Sequence, residues 1–158
     1  MNEYMNLIGI KARKASTKKI NTQIKNKVLK NYVDLLVKEK KSILRENIKD
    51  LKLAENNDLK ENLINRLRIT DEKLEDITGS INKISKLKDP VNVSLKKWNR
   101  PNGLNINRVS IPIGVIGVIY ESRPNVTSDV SSLCFKSGNA VILKGGSEAI
   151  NTNRILAK

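Results

Sequence analysis

The sequence predicts an α/β fold in which N-terminal helices and a β-hairpin arm precede the first, incomplete βαβα unit of a Rossmann-like parallel sheet. Three observations predict it. Apolar residues recur at helical spacing in the first half of the chain, a proline-glycine turn then separates two alternating segments, and two β-branched runs near the end flank a helical segment. We divide the chain into a helical region at 1–88, an arm at 89–112 and the start of the sheet domain at 113–158.

The helical region contains three patterns with the period of an amphipathic helix. Their apolar positions are Ile20, Ile24, Val28, Tyr32, Leu35 and Leu36; then Leu59, Leu63 and Leu67; then Leu74, Ile77, Ile81 and Ile84. Thr70 stands where its hydroxyl can cap the third helix. The lysines between the apolar positions, Lys25 among them, are expected on the solvent side.

The arm lies between two turn signals. Asp89-Pro90 is the first, and residues 100–103, with the sequence Arg-Pro-Asn-Gly, are the second. Apolar and polar residues alternate roughly over 91–99 and again over 104–109. This arrangement predicts an antiparallel hairpin at the edge of the molecule.

The sheet domain begins with an apolar run at 115–120 that predicts a strand covered on both faces. A helix over 126–136 follows, closed by Gly138 in a left-handed conformation, and 140–143 is a second buried strand. Ser147 is expected to cap a last helix, which has no C-cap signal before the last residue. The order predicts a parallel pair with a right-handed crossover.

Composition excludes several kinds of chemistry. The chain has 158 residues with no histidine and one cysteine. It therefore holds no histidine-dependent catalytic pair, no internal disulfide and no four-cysteine zinc site, and we expect no metal. It also lacks an apolar stretch long enough for a signal peptide or a membrane span, so we expect a cytoplasmic protein.

The net charge of +14 points first toward nucleic acid. Residues 1–110 hold 25 basic and 13 acidic side chains, whereas 111–158 hold 5 and 3, so the excess lies on the helices. Aromatic residues are only 3% of the chain, and no nucleic-acid-binding motif is present. The charge pattern favours solvated helix faces over a nucleic-acid partner.

Parallel sheets bind ligands beyond the carboxyl ends of their strands, so two loops are the candidates for chemistry. In one loop Lys144 precedes two glycines and Ser147, an arrangement that favours an anion such as phosphate, with an ordinary β-to-α turn as the alternative. In the other loop Arg123 can bind an anionic group and Asn125 can donate to a developing oxyanion. A surface arginine and a turn-forming asparagine are the alternatives there.

Two strings in these loops resemble a known family. Tyr-Glu-Ser-Arg-Pro-Asn-Val lies within 108–127, and Lys-Ser-Gly-Asn-Ala-Val-Ile-Leu-Lys-Gly-Gly-Ser-Glu-Ala lies within 133–149. Both are similar to gamma-glutamyl phosphate reductase, also called glutamate-5-semialdehyde dehydrogenase, in the aldehyde dehydrogenase superfamily. The close match covers the last third of the chain, and the helices and hairpin fit the family in order and length.

The resemblance implies that NADPH reduces L-glutamyl 5-phosphate to L-glutamate 5-semialdehyde in proline biosynthesis, through a cysteine nucleophile. It implies that Asn125 helps form the oxyanion hole and that Lys144 contacts the adenosine ribose of the cofactor. Ser147 stands where many NAD-preferring relatives have a glutamate, which leaves room for the 2'-phosphate of NADP.

The same resemblance places Glu121 and Ser122 along the approach to the nicotinamide. We add Arg123 as a ligand for the phosphate or the carboxylate of the substrate.

Family members are more than twice as long as this chain, and their nucleophilic cysteine lies beyond the matched part. Cys134 is expected to be a buried, unreactive thiol. We therefore expect an N-terminal fragment that is inactive and poorly soluble alone, and a homo-oligomer, associating through the arm, at full length. Two alternatives are a basic nucleic-acid-binding module and a non-catalytic partner of a separately encoded catalytic half.

Overall fold

The computed structural model describes residues 3–158, in which five helices precede an antiparallel hairpin and a parallel strand pair. The helices are α1 (Glu3–Ser16), α2 (Thr22–Lys38), α3 (Lys40–Asn56), α4 (Glu61–Leu67), α5 (Asp71–Lys86), α6 (Asn125–Lys136) and α7 (Ile150–Leu156). The strands are β1 (Ser94–Asn99), β2 (Asn105–Val109), β3 (Val115–Tyr120) and β4 (Ala140–Gly145), and a short 3-10 turn, Ser147–Ala149, precedes α7. The α/β class and the order of the elements agree with the sequence-based expectation.

The main core lies between the long helices and extends to the last one. Thr70 caps α5 by accepting the N–H of Lys73, as predicted. Asn21, for which the sequence analysis makes no prediction, caps α2 by accepting the N–H of Ile24. The buried members of the core are Leu29, Val33, Leu36, Ile43, Ile69, Leu74, Ile77, Ile81, Ile84 and Leu156. The stripe predicted for α5 is buried in this core, and α7 adds Leu156 to it. The stripe predicted for α2 is wrong in part: Ile24, Val28 and Leu35 are exposed, and the helix buries Leu29 and Val33 instead, together with the predicted Leu36.

Lys25 contradicts the expectation that the lysines of α2 face solvent. Its side chain is 3% exposed, and its Nζ donates to both carboxylate oxygens of Asp89, at 2.9 and 3.0 Å. Asp89 also accepts from Thr22 Oγ1 and from the N–H of Val91. A buried ammonium is tolerated because it is paired, so this lysine fastens α2 to the segment that leads into the arm.

The arm is an antiparallel hairpin, with Ser94 opposite Val109 and Asn99 opposite Asn105. Its first strand begins later than predicted. Asn92 adopts a left-handed φ of 60°, which turns the chain before the ladder begins. Gly103 supplies the positive φ of 83° that the connecting turn requires.

The parallel pair forms as predicted: Val115 lies opposite Ala140, and Gly138 ends the intervening helix with a φ of 75°. The expectation that β3 is covered on both faces is wrong for the described residues, because Ile119 is 80% exposed. The last helix also ends before the end of the chain, at Leu156.

Buried polar contacts join the helices to the sheet unit, and two of them involve charged side chains. Asp50 of α3 is fully buried and accepts from the backbone N–H groups of Asn151 and Thr152 at the start of α7. Lys136, at the end of α6, donates to the carbonyl of Ser85 and to the side chain of Asn26. Across residues 3–158, no helix combines the length and the apolar character needed to cross a membrane.

Candidate functional site at the carboxyl edge of the parallel pair

The carboxyl ends of β3 and β4 lie side by side. Tyr120 is opposite Gly145, and Ile119 is opposite Lys144. The segment after each strand therefore starts at the same edge of the sheet, which is where parallel sheets bind ligands. We call this edge, with residues 121–124 and 144–148, the strand edge.

Glu148 connects the two loops of the strand edge. Its carboxylate accepts the backbone N–H of Ser122 at 2.5 Å and the Ser122 hydroxyl at 3.1 Å. Ser122 is 3% exposed and has a φ of 46°, a left-handed conformation that costs a non-glycine residue roughly 1 to 3 kcal/mol. The carboxylate thus holds a strained turn in place, and it occupies the donors that Ser122 would otherwise offer a ligand.

The two glycines of the strand edge allow side chains of this chain to approach closely. A Cβ on Gly145 would lie 2.2 Å from Nδ2 of Asn153, and one on Gly146 would lie 2.2 Å from a carboxylate oxygen of Glu148. Neither position has room for a side chain without displacing a neighbour. Packing within the protein is therefore a sufficient reason for glycine at both positions, without a bound ligand.

Lys144 and Ser147 are both exposed at the strand edge. Lys144 is part of β4 and not of the loop after it, and no carboxylate of residues 3–158 pairs with it in a salt bridge. The prediction that Ser147 caps a helix is wrong. The 3-10 turn begins at Ser147 itself, its N-cap is Gly146, and no side chain caps it. The Ser147 hydroxyl is consequently not used by a capping bond.

A hydrogen-bonded network links the elements that carry the strand edge. The hydroxyl of Tyr120 lies 2.5 Å from that of Thr127, which donates in turn to Oδ1 of Asn153 at 3.0 Å. These residues belong to the end of β3, the first turns of α6 and the middle of α7. The network fixes the three elements relative to one another, so the loops start from a rigid base.

The remaining predicted site residues, in the loop after β3 and at the start of α6, do not all lie on the strand edge. Glu121 and Arg123 are exposed in the first loop. Asn125 is the first residue of α6, and its amide donates to Oδ2 of Asp129 at 3.1 Å. Together with Pro124 it lines a cavity of about 300 Å³ on the helical side of the loop. The loop thus has two sides, the strand edge and this cavity, which we call the helix-side cavity.

The helix-side cavity carries charged residues that the sequence analysis did not single out. They are Arg66, Arg68, Lys73, Asp76 and Asp129. One of them had a signal in the sequence, because Asp129 lies four residues after Asn125 and so on the same face of α6. The basic residues come from α4, α5 and the connection between them, and only the fold brings them to α6.

Relatives with known structures and sequences share this architecture. The reductase from Halothermothrix orenii, named gamma-glutamyl phosphate reductase, is 47% identical over 150 residues, covering 94% of this chain. A crystal structure of gamma-glutamyl phosphate reductase from Thermotoga maritima matches 92% of the chain with a TM-score of 0.88 and 40% identity. The chain belongs to the gamma-glutamyl phosphate reductase family.

A second gamma-glutamyl phosphate reductase structure, from Saccharomyces cerevisiae, matches with a TM-score of 0.89 at 36% identity. The chain spans 36% of the length of the Halothermothrix orenii reductase and 38% of the yeast chain. No protein-family model matches the sequence. The relatives confirm the family and the aldehyde dehydrogenase-like, incomplete fold expected from the sequence.

Cys134 is the single thiol in this member of the gamma-glutamyl phosphate reductase family, and it is 6% exposed on α6. Burial raises the pKa of this thiol above its ordinary value. A raised pKa keeps the group protonated at neutral pH, whereas nucleophilic cysteines are thiolates. The placement agrees with the expectation of a buried thiol.

Proposed function

We propose that the chain supplies the N-terminal helices and the first two strands of the cofactor-binding sheet of an enzyme that reduces L-glutamyl 5-phosphate to L-glutamate 5-semialdehyde with NADPH. Membership of the gamma-glutamyl phosphate reductase family supports the reaction class. One observation carries the assignment to this chain: the parallel pair brings Lys144 and Ser147 to the same edge as the loop after β3. That edge is the usual nucleotide site of such sheets.

The residues at the strand edge fit NADPH. Lys144 presents an exposed cation that pairs with no carboxylate of residues 3–158, and Ser147 presents an exposed, small and neutral side chain. In our proposal Lys144 binds the adenosine ribose and supplies countercharge for the 2'-phosphate, while Ser147 leaves space for it. The cofactor, when bound, supplies the hydride.

Ser122 and Glu121 have different parts in this proposal. Both donors of Ser122 already bind Glu148, so we assign Ser122 to holding the loop in shape beside the nicotinamide. Glu121 is exposed and follows Tyr120 directly, so it is the member of the pair that is free to face the cofactor. This division predicts that loss of Glu148 disturbs cofactor binding through the strained turn.

Asn125 and Arg123 are assigned to the substrate. One N–H of the Asn125 amide binds Asp129, and the second is left for the oxygen that develops charge at the acyl carbon. Arg123 is exposed in the same loop and presents a planar cation suited to phosphate. The thiolate nucleophile belongs to the part of the family that this chain does not span, since Cys134 is buried and protonated.

Two of the 30 basic side chains serve the fold itself and are not available to a nucleic-acid partner. Lys25 and Lys136 are buried and bind Asp89, Ser85 and Asn26 within the fold. We further propose that the complete enzyme self-associates through the arm, whose Leu95 and Leu104 are 56% and 55% exposed.

A chimera tests the reaction. Residues 1–158 are joined to the remaining sequence of the Halothermothrix orenii reductase, and oxidation of NADPH is followed with L-glutamyl phosphate as substrate. We expect turnover by the chimera and none by the 158-residue chain. A folded chimera that fails to turn over, or turnover by the chain alone, would contradict the proposal.

Ser147→Glu in the chimera tests the cofactor site. A carboxylate there repels the 2'-phosphate and can accept the 2'-hydroxyl of NADH, so the ratio of kcat/KM for NADPH to that for NADH should fall by about tenfold or more. Asn62→Glu, which adds the same charge at an exposed position on α4, is the matched control and should leave the ratio unchanged. An unchanged ratio in Ser147→Glu would contradict the proposal that the cofactor binds at the strand edge.

A further inference from the structure

The helix-side cavity is the feature of the described residues that the cofactor site does not account for. It has a volume of about 300 Å³ and lies between α4 and α5 on one side and the start of α6 on the other. Its charged and amide lining consists of Arg66, Arg68, Lys73, Asp76, Asn125 and Asp129. Both signs of charge therefore face one small space, which is the lower end of the size range for small-ligand pockets.

Asp129 lines this cavity, and its side chain has an unsatisfied acceptor. Its Oδ2 accepts from Asn125, but its Oδ1 is buried and has no hydrogen-bond partner among residues 3–158. A buried carboxylate oxygen without a donor is costly, and native proteins rarely leave one so. A donor that enters the cavity would satisfy it, and a cationic donor would also neutralise the charge.

The opposite wall of the cavity holds three cations, Arg66, Arg68 and Lys73, and one carboxylate, Asp76. Arg66 and Arg68 form no salt bridge with any carboxylate of residues 3–158. Lys73 donates to the carbonyls of Asn65 and Arg68, at 3.1 and 2.7 Å, which fixes its side chain beside the cavity. Burial lowers the pKa of Lys73, and the charge of Arg68 lowers it further.

We propose that the helix-side cavity binds the amino-acid end of the substrate, with the ammonium group on Asp129 and the α-carboxylate on Arg66 and Arg68. The proposal rests on the proposed function, because that substrate carries an ammonium and a carboxylate on one carbon. A pocket with one unsatisfied carboxylate oxygen and unpaired guanidinium groups is complementary to this pair of charges.

The loop after β3 connects the strand edge to the helix-side cavity. Ser122 contacts Glu148 on the strand edge, and two residues later Pro124 and Asn125 line the cavity. A substrate whose amino-acid end lies in the cavity would extend its acyl group past Asn125 toward the cofactor side. Asp129 and the two arginines are then specificity residues, and they explain how the enzyme would distinguish an amino-acid substrate from a simple acyl phosphate.

Three ligands that differ by one charged group test the site on the 158-residue chain. L-glutamate carries both groups, glutarate lacks the ammonium, and 4-aminobutyrate lacks the α-carboxylate. We expect L-glutamate to cause saturable NMR shifts at the amides of Ile77, Asn125 and Asp129, and each analogue to bind about tenfold more weakly or worse. This comparison uses the wild-type chain, so it does not depend on the folding of a variant.

Two variants test which residue binds each charged group of the ligand. Asp129→Asn should weaken L-glutamate to the level of glutarate while leaving glutarate unchanged, and Arg68→Gln should weaken both of these ligands. Asp34→Asn, an exposed carboxylate on α2, is the control and should change nothing. Equal binding of the three ligands, shifts confined to the strand edge, or an unaffected Asp129→Asn variant would overturn the proposal.

The two proposals can fail separately. Ligand binding in the cavity requires neither NADPH nor hydride transfer, so an inactive chimera together with selective L-glutamate binding would refute the reductase and leave this site standing. An active chimera in which Asp129→Asn leaves the KM for the substrate unchanged would refute this site and leave the reductase standing.

Discussion

The helical region and the parallel pair differ in how fully each covers its own apolar surface. In the helices, Leu29, Ile43 and Ile81 are 2%, 1% and 0% exposed, whereas at the parallel pair Ile113 and Ile119 are 83% and 80% exposed. The helices thus bury a core, which Leu156 of α7 shares, although Ile24, Leu35 and Val37 of α2 stay 51%, 55% and 60% exposed. In the parallel pair, by contrast, no residue of β3 or β4 is fully buried. The proposed cofactor residues lie on the less covered unit, so stability and chemistry are concentrated in different parts of the chain.

Ile81→Ala should have the largest effect, because it removes a fully buried side chain from the helical core. We expect a loss of about 4 kcal/mol in the free energy of unfolding, measured by urea denaturation with far-UV circular dichroism. The matched change Ile119→Ala, on the exposed face of β3, should cost less than about 0.5 kcal/mol. Equal losses would show that the two regions do not differ as described.

The chimera allows the same two substitutions to be compared in a longer protein. If the added sequence covers the parallel pair, Ile119→Ala should become more costly there, by about 1 kcal/mol or more, while the cost of Ile81→Ala stays the same. An unchanged cost at Ile119 would mean that this face of the sheet stays open to solvent in the longer protein.

Asp50→Asn should have the next largest effect, because this residue joins the two regions. Its carboxylate accepts from the backbone and side chain of both Asn151 and Thr152, at distances between 2.6 and 3.1 Å. An amide cannot accept all four bonds, so we expect a loss of about 2 to 3 kcal/mol in urea denaturation. Glu55→Gln, exposed on the same helix, is the control and should change stability little. A tolerated Asp50→Asn would show that this contact is not needed to join the two regions.

Asp50 also shows why part of the fold could not be predicted. Apolar spacing predicts helices at α2, α4 and α5, although α2 buries Lys25, Leu29 and Val33 and not the predicted Ile24, Val28 and Leu35. It does not predict α3, since the inward face of that helix includes Asn47 and Asp50. These residues bind partners about a hundred positions later, Thr152 among them, and no local pattern shows that they are buried. Helix α1 escaped recognition for the opposite reason, because it buries no residue.

The candidate site, like the fold, was predictable from the sequence only in part. The position of Lys144 and Ser147 at one edge was predictable, because parallel strands end together. The contact of Glu148 with Ser122 depends on loop conformation, and the placement of Asp129, Arg66 and Arg68 around one cavity depends on helix packing. Single-residue patterns do not contain that information.

Stability at low pH tests the contact between α2 and the arm. Burial acts to raise the pKa of Asp89, but hydrogen bonds from Lys25, Val91 and Thr22 outweigh it and hold the pKa below its ordinary value. A lowered pKa in the folded state means that the stabilisation is complete above the unfolded value, about 3.9, and is lost as pH falls through the folded value.

We therefore expect the wild-type chain to lose stability more steeply than Asp89→Asn below about pH 4, with parallel curves at higher pH. Urea denaturation at a series of pH values measures this. The effect should be smaller than that of Asp50→Asn and confined to acid conditions. Identical slopes would show that the Lys25 contact contributes no pH-dependent stability.

Cys134 should have the smallest effect on function, and this result would separate the two regions most clearly. Its thiol is buried on α6 and its pKa is raised by that burial, so in the native chain it should react with a thiol reagent at pH 8 only as fast as the protein opens. Reaction should become fast in denaturant. Cys134→Ala in the chimera should leave kcat within about twofold, because a protonated, enclosed thiol cannot attack an acyl phosphate. A large fall in kcat, with stability unchanged, would mean that the sheet unit itself holds the nucleophile and that the chemistry does not depend on the sequence this chain lacks.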